Sequence, residues 1–217
     1  VLEIRQLARD ALAADDAAWD VLAAPKRLKV LLVTPGNLPL ANGLRAIGPA
    51  TVDVASPGAV AADNEAGAFG PGGYDVVVLD RVAPAGLGRG AYLCFDAVPP
   101  GSGAEADGEL GPQIVVDWQQ RHPALTHVNL ANFYASRAVR LKLPREARVL
   151  AEFVEGPAVA SCRRGGSLYL LAGFDVLETN WPFEPGFVLF CYNAVQYLAA
   201  ETHRGRPAVL DVGEPIV

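Results

Sequence analysis

Apolar positions fall into short runs separated by Gly and Pro, and their period changes along the chain. Residues 27–34 form a near-continuous apolar run ended by Pro35-Gly36, the pattern of a strand buried on both faces of a parallel sheet. Asn37 suits a helix N-cap, and Leu38, Leu40, Leu44 and Ile47 predict one face of a short helix closing at Gly48-Pro49. Residues 51–54, 76–79, 91–95 and 114–116 read as further strands, and residues 59–68 as a short helix or a loop. Residues 99–111 show no apolar period and read as a Gly/acid loop. The resulting β-α-β-(α)-β-β pattern predicts a right-handed, mostly parallel α/β sheet.

The second half changes character. Residues 139–143, 149–154, 158–162 and 168–172 predict strands joined by tight turns such as Arg164-Gly165-Gly166, a hairpin or meander pattern that adds an antiparallel portion. Residues 184–200 predict a helix with Pro185 in its first turn and an apolar stripe of Phe187, Val188, Cys191, Ala194, Val195 and Leu198. Trp118, Trp181, Phe183 and Phe187 are expected to pack. Before the first core strand, residues 1–26 read as the end of a preceding β-rich domain and a linker. Residues 27–204 form the α/β domain, and residues 205–217 a tail or the start of a following segment.

Composition narrows the function classes. The 217 residues are 51% hydrophobic and 19% charged, which supports a substantial core. A net charge of −6, with no basic run longer than Arg163-Arg164, argues against nucleic acid or an anionic membrane surface as partner. Methionine is absent, position 1 included, and the chain opens in mid-pattern at Val1, so the expectation is an excised piece of a larger protein. No window is apolar for the ~18 residues a membrane helix needs, so any membrane attachment is expected through segments outside this sequence. Cys94, Cys162 and Cys191 are widely spaced with no C-x-x-C, which favours buried free thiols over a zinc or redox site and leaves a single disulfide open.

Sites of chemistry are sparse. No G-x-C-x-G or G-x-S-x-G elbow follows a strand, and Cys94 lies within Tyr92-Leu93-Cys94-Phe95 between bulky neighbours. Gly86-Leu87-Gly88-Arg89-Gly90-Ala91 matches a dinucleotide fingerprint in letters only, because it precedes a strand instead of leading into a helix. The candidate cleft residues are Asn37, Asp117, His122, Asp175 and Glu178. His122 has two readings, a metal site assisted by Asp117 or a structural hydrogen bond before Pro123; the structural one is favoured. Asp175 and Glu178 could face a cleft at a strand's carboxyl end or cap the turn before Trp181-Pro182; capping is favoured. No catalytic residue, metal or cofactor is expected.

Residues 29–37 and 74–80, Asp117-Trp118 with His122-Pro123, and Gly173-Phe174-Asp175 followed by Trp181-Pro182 together resemble a class I glutamine amidotransferase-like domain. The version they look like occurs in bacterial membrane-anchored proteins of the Bat-type aerotolerance group, which also carry a von Willebrand factor A domain. The resemblance spans roughly residues 27–200. It implies a flavodoxin-like three-layer α/β sandwich, an extracytoplasmic (periplasmic) location, and partners among proteins or other domains of the parent chain. The family's Cys-His-Glu triad has no counterpart, because no Cys sits at an elbow and His203 is followed by Arg204-Gly205. Two functions follow as expectations. The favoured one is a non-catalytic structural or protein-interaction module. The alternative is a small-molecule- or carbohydrate-binding or hydrolytic ThuA-like domain in which Asp117, His122 and Asp175 converge in one cleft.

Overall fold

The structure is a computed structural model that describes residues 2–6, 17–20, 27–46, 48, 50–58 and 73–203. The helix or loop expected at 59–68, Ile47 and the tail at 205–217 lie outside the described residues. At the start, β1 (Leu2–Arg5) and β2 (Ala17–Asp20) pair as an antiparallel ribbon. Strand β2 falls in the Ala/Asp-rich stretch, whose composition gives no strand signal.

The main body is a nine-stranded sheet. Five strands are parallel: β3 (Leu28–Val33), β4 (Ala50–Ala55), β5 (Val76–Asp80), β6 (Ala91–Phe95) and β13 (Ser167–Ala172). They lie in the order β4-β3-β5-β6-β13, with every neighbouring pair parallel. Counted in chain order these are strands 2-1-3-4-5, so the direction of winding reverses between β3 and β5. Beyond β13 the sheet continues antiparallel through β12 (Gly156–Arg164), β11 (Arg148–Phe153), β8 (Gln113–Trp118) and the short β9 (Tyr134–Ala135). The turn from β12 to β13 is the two-residue loop Gly165-Gly166, with φ of 60° and 81°. Two positive φ values in a row match the twist of the flanking strands, and glycine adopts them without steric cost.

Two expectations about strands are corrected. Residues 105–110, read as loop, form β7 (Glu105–Leu110), which pairs with β10 (Ala138–Lys142) in a separate ribbon. Only Leu110 of β7 is buried, so no apolar alternation could announce it. Strand β10, expected in the meander beside β11, pairs with β7 instead.

Helix α1 (Leu38–Arg45) starts at Asn37, whose side chain accepts a hydrogen bond from the Leu40 amide, as expected of an N-cap. Leu40 and Leu44 are buried, but Leu38 is 69% exposed. It lies two residues, about 200°, around the helix from Leu40, so it cannot share that face. Helix α2 (Pro185–His203) buries Phe187, Phe190, Cys191, Ala194, Val195 and Leu198, and leaves Val188 on the exposed side.

Alternate side chains of the parallel strands feed two cores. Val30, Leu32, Val78, Leu93, Phe95 and Leu170 pack with both helices. Leu31, Val33, Leu79, Cys94, Tyr169 and Leu171 pack on the other face with Ala97, Ala104 and Leu141. Among the described residues, therefore, both helices cover one face of a mixed sheet, and β10 with its neighbouring loops covers the other. Gly43 lets the helices meet closely, since a Cβ there would stand 2.8 Å from the Phe187 ring. At the start of α2, Trp181 packs among Phe133, Phe174, Phe187 and Phe190 with ring centroids 4.9–5.7 Å apart.

Candidate functional site

The carboxyl ends of the parallel strands are where an open α/β sheet ordinarily holds its ligand, above all where the winding reverses. Here that place, between β3 and β5, is occupied by a polar network. Asp80, the last residue of β5, is fully buried. Its carboxylate accepts from the Thr34 hydroxyl at 2.5 Å, the Asn37 amide at 3.0 Å and the Arg81 guanidinium at 3.3 Å. Thr34 also accepts the Gly36 amide, and Arg81 donates to the Gly36 carbonyl at 2.8 Å, so the turn after β3 is tied to the end of β5. Arg81 further pairs with Asp175, beyond the end of β13, at 3.5 Å. One strand over, Asp96 follows β6 and pairs with Arg137, which also reaches Glu109 in β7.

Arg81 and Asp96 both hold left-handed backbone conformations, with φ of 57° and 46°. Non-glycine residues in this region cluster at turns that aim a side chain into a site. Here each lets the chain turn sharply off a strand while staying bonded to its neighbour: the Arg81 amide donates to the Phe95 carbonyl, and the Asp96 amide to the Ala172 carbonyl. Burial raises the pKa of Asp96 and the Arg137 guanidinium opposes the rise; burial also raises that of Asp175, opposed by the Leu177 amide and Arg81. The arrangement is self-neutralising, with carboxylates held by guanidinium groups of the chain itself.

The expected cleft residues divide. Asn37 and Asp175 come to this edge, Asn37 as helix cap and Asp80 donor, Asp175 as ion-pair partner and cap of the 3-10 turn Val176–Glu178. Glu178 is exposed and accepts from the Ser136 hydroxyl at 2.5 Å, tying that turn to the segment after β9. Asp117 and His122 do not join them. Asp117 is an exposed residue of β8, opposite Glu152 of β11, and β8 is three strands from β13, about 14 Å across the sheet. His122 is buried under α2, its ring edge-on to Tyr197 at 4.7 Å and its Nδ1 accepting the Ala124 amide. The convergence of Asp117, His122 and Asp175 is thereby corrected: intervening strands separate Asp117 from Asp175, and His122 makes the structural bond before Pro123.

The residues that build this edge and were not singled out are Thr34, Asp80, Arg81, Asp96 and Arg137. The available signal was the acid that ends each apolar run, Asp80 after Val-Val-Val-Leu and Asp96 after Tyr-Leu-Cys-Phe. Cys94 is fully buried inside β6, with its thiol pKa raised by burial, and all three cysteines are free. Burial likewise pushes Cys162 up to about 11 and Cys191 to about 12. A buried neutral thiol is a poor nucleophile. Among the described residues no three His, Cys, Asp or Glu side chains are grouped to hold a metal ion. Two aromatic expectations also resolve here: Trp118 packs against the helix-side core and donates to the Val128 carbonyl, whereas Phe183 is 89% exposed.

No family model matches the chain, and no curated protein matches it in sequence. Solved structures do match in shape. A cytoplasmic protein from Salmonella typhimurium LT2 is 12% identical with a TM-score of 0.57, over 79% of this chain and 99% of that one. A second Salmonella typhimurium cytoplasmic protein is 11% identical with a TM-score of 0.60, over 79% and 98%. A β-galactosidase from Bacillus circulans sp. alkalophilus is 12% identical with a TM-score of 0.51, over 81% of this chain but 31% of the enzyme. At such identities the likeness concerns the fold alone.

Proposed function

We propose that the chain is a catalytically silent, class I amidotransferase-like module whose parallel half is flavodoxin-like in strand order, serving as a structural or protein-interaction domain of a larger bacterial membrane-anchored protein of the Bat-type group. The observation that carries this reading is the carboxyl edge of the parallel sheet. Where a catalytic relative would present a nucleophile on a small-residue turn, this chain has Cys94 sealed inside β6 and the strained turn residue is Asp96, paired with Arg137. The strand order 2-1-3-4-5 supports the flavodoxin-like part of the reading. The partners would be proteins or other domains of the parent chain, on the extracytoplasmic side. Among the described residues no helix is long and apolar enough to cross a membrane, so the anchor would lie elsewhere in the parent.

The test is turnover. The purified chain, incubated with L-glutamine and with p-nitrophenyl acetate, is expected to release ammonia and nitrophenolate no faster than buffer. Saturable turnover that disappears in Cys94→Ser or Asp96→Asn would overturn the reading.

A further inference from the structure

The antiparallel end of the sheet buries one face and leaves the other open. Val115 of β8, Phe153 of β11 and Ala135 of β9 belong to the helix-side core. The adjoining residues Ile114, Val116, Val154 and Tyr134 point the opposite way and are 43–65% exposed. An antiparallel strand with one solvated face ordinarily alternates apolar and polar positions, and Ile114-Val115-Val116 does not. Ile114 stands opposite Tyr134, and Val154 follows Phe153, the partner of Val115. Tyr134, Ile114 and Val154 therefore form a row across three strands, about 10 Å long at ordinary strand spacing. Val116, where β8 shifts register against β11, lies beside the row. Contiguous exposed apolar side chains with a polar rim mark a contact surface. The rim here is acidic. Asp117 and Glu152 are exposed and directly opposite each other, and like charges so placed destabilise a strand pair. Among the described residues neither carboxylate has an ion-pair or hydrogen-bond partner. Beyond Tyr134, at the other end of the row, the Glu178 carboxylate sits on the Ser136 hydroxyl. Glu155, next to Val154, is already paired with Arg140.

We infer that this face docks an amphipathic protein helix whose apolar stripe is flanked by Lys or Arg. The apolar row takes the stripe, its length matching about two turns of helix. The flanking bases neutralise Asp117, Glu152 and Glu178, which gives the contact its sign and its specificity. A strand fits less well: β9 spans only Tyr134–Ala135, and Ala135 already bridges Thr179, so the sheet offers a face here and no free edge. A second copy of the chain meeting face to face would set carboxylates against carboxylates, because acids stand at both ends of the row. The inference rests on the interaction role proposed above and supplies the partner's chemistry.

The experiment measures binding of the whole chain to a fluorescent peptide of Leu and Lys, about 14 residues or four turns long, with its leucines on one helical face. A counterpart peptide carries Glu in place of every Lys. The Leu/Lys peptide is expected to bind saturably, and the Leu/Glu peptide at least about tenfold more weakly. Ile114→Ser with Val154→Ser, both at exposed positions, abolishes binding. Asp117→Asn with Glu152→Gln weakens it about tenfold, whereas Asp107→Asn with Glu146→Gln, which removes the same charge from exposed positions elsewhere, leaves it unchanged. The inference is overturned if the Leu/Lys peptide shows no saturation up to about 1 mM or if both peptides bind alike. It is equally overturned if the folded apolar variant binds as the wild type does, or if the two acid pairs weaken binding equally. Should the apolar variant not fold, the acid pairs decide alone. Failure of docking in a chain without turnover removes this surface and leaves the silent module standing; turnover with docking intact does the reverse.

Discussion

Asp80→Ala is expected to destabilise the fold by about 3 kcal/mol, because it removes the one acceptor shared by three donors. Thr34, Asn37 and Arg81 converge on a carboxylate with no exposure to solvent. Without it, the Thr34 hydroxyl and the Asn37 amide are left at the floor of the sheet edge, where water reaches poorly. Arg81 keeps the Gly36 carbonyl and Asp175, so its own loss is partial. For a domain of this size the melting temperature should fall by roughly 6–12 °C. Asp80→Asn preserves the shape and should cost less, since an amide oxygen can still accept from Asn37. Thermal unfolding followed by circular dichroism measures both; an Asp80→Ala transition within about 2 °C of wild type would show that the network is not holding the edge together.

Acidification should weaken the fold between pH 6.5 and about 4 through His122. Burial, reinforced by Arg148 and opposed by Glu201, lowers its pKa to about 4. The unfolded chain takes up the proton near the ordinary value of about 6.5. Between the two values the unfolded state binds more protons, so stability is full above the upper one and declines as pH falls towards the lower. The loss amounts to about 3 kcal/mol when the window has been crossed. Asp96 and Asp175 act in the opposite sense: their raised pKa values make folded carboxyls easier to protonate, so their contribution grows as pH falls. The informative quantity is therefore the difference between wild type and His122→Asn, whose side-chain oxygen can still accept the Ala124 amide. The variant should lose most of the slope in denaturant midpoint against pH; an unchanged slope would show that His122 is not the titrating group.

The parallel half of the fold was legible because strands buried on both faces are written as unbroken apolar runs. Leu28–Val33, Val76–Asp80 and Ala91–Phe95 all stand where the runs do. The β7–β10 pairing was hidden because backbone pairing and cross-strand ions such as Lys142–Glu105 hold it, with little apolar burial. Leu38 and Phe183 misled in the same way, since an apolar residue beside a buried one need not share its face. Of the site, Asn37 and Asp175 could be read from helix and turn chemistry. Arg137 could not: the Val139 amide bonds to the Gly173 carbonyl and the Asp96 amide to the Ala172 carbonyl, so Arg137 meets Asp96 beyond the end of β13, a contact between distant parts of the chain that no local pattern encodes.

Whether the sheet lacks a nucleophile at its carboxyl edge is decided by the reactivity of Cys94 towards iodoacetamide in the folded chain at mildly alkaline pH. A thiol sealed inside β6 and raised by burial should stay unlabelled until denaturant opens the domain, as should Cys162 and Cys191. Rapid alkylation of Cys94 in the native state, ahead of the other two thiols and accompanied by loss of any turnover, would contradict the account.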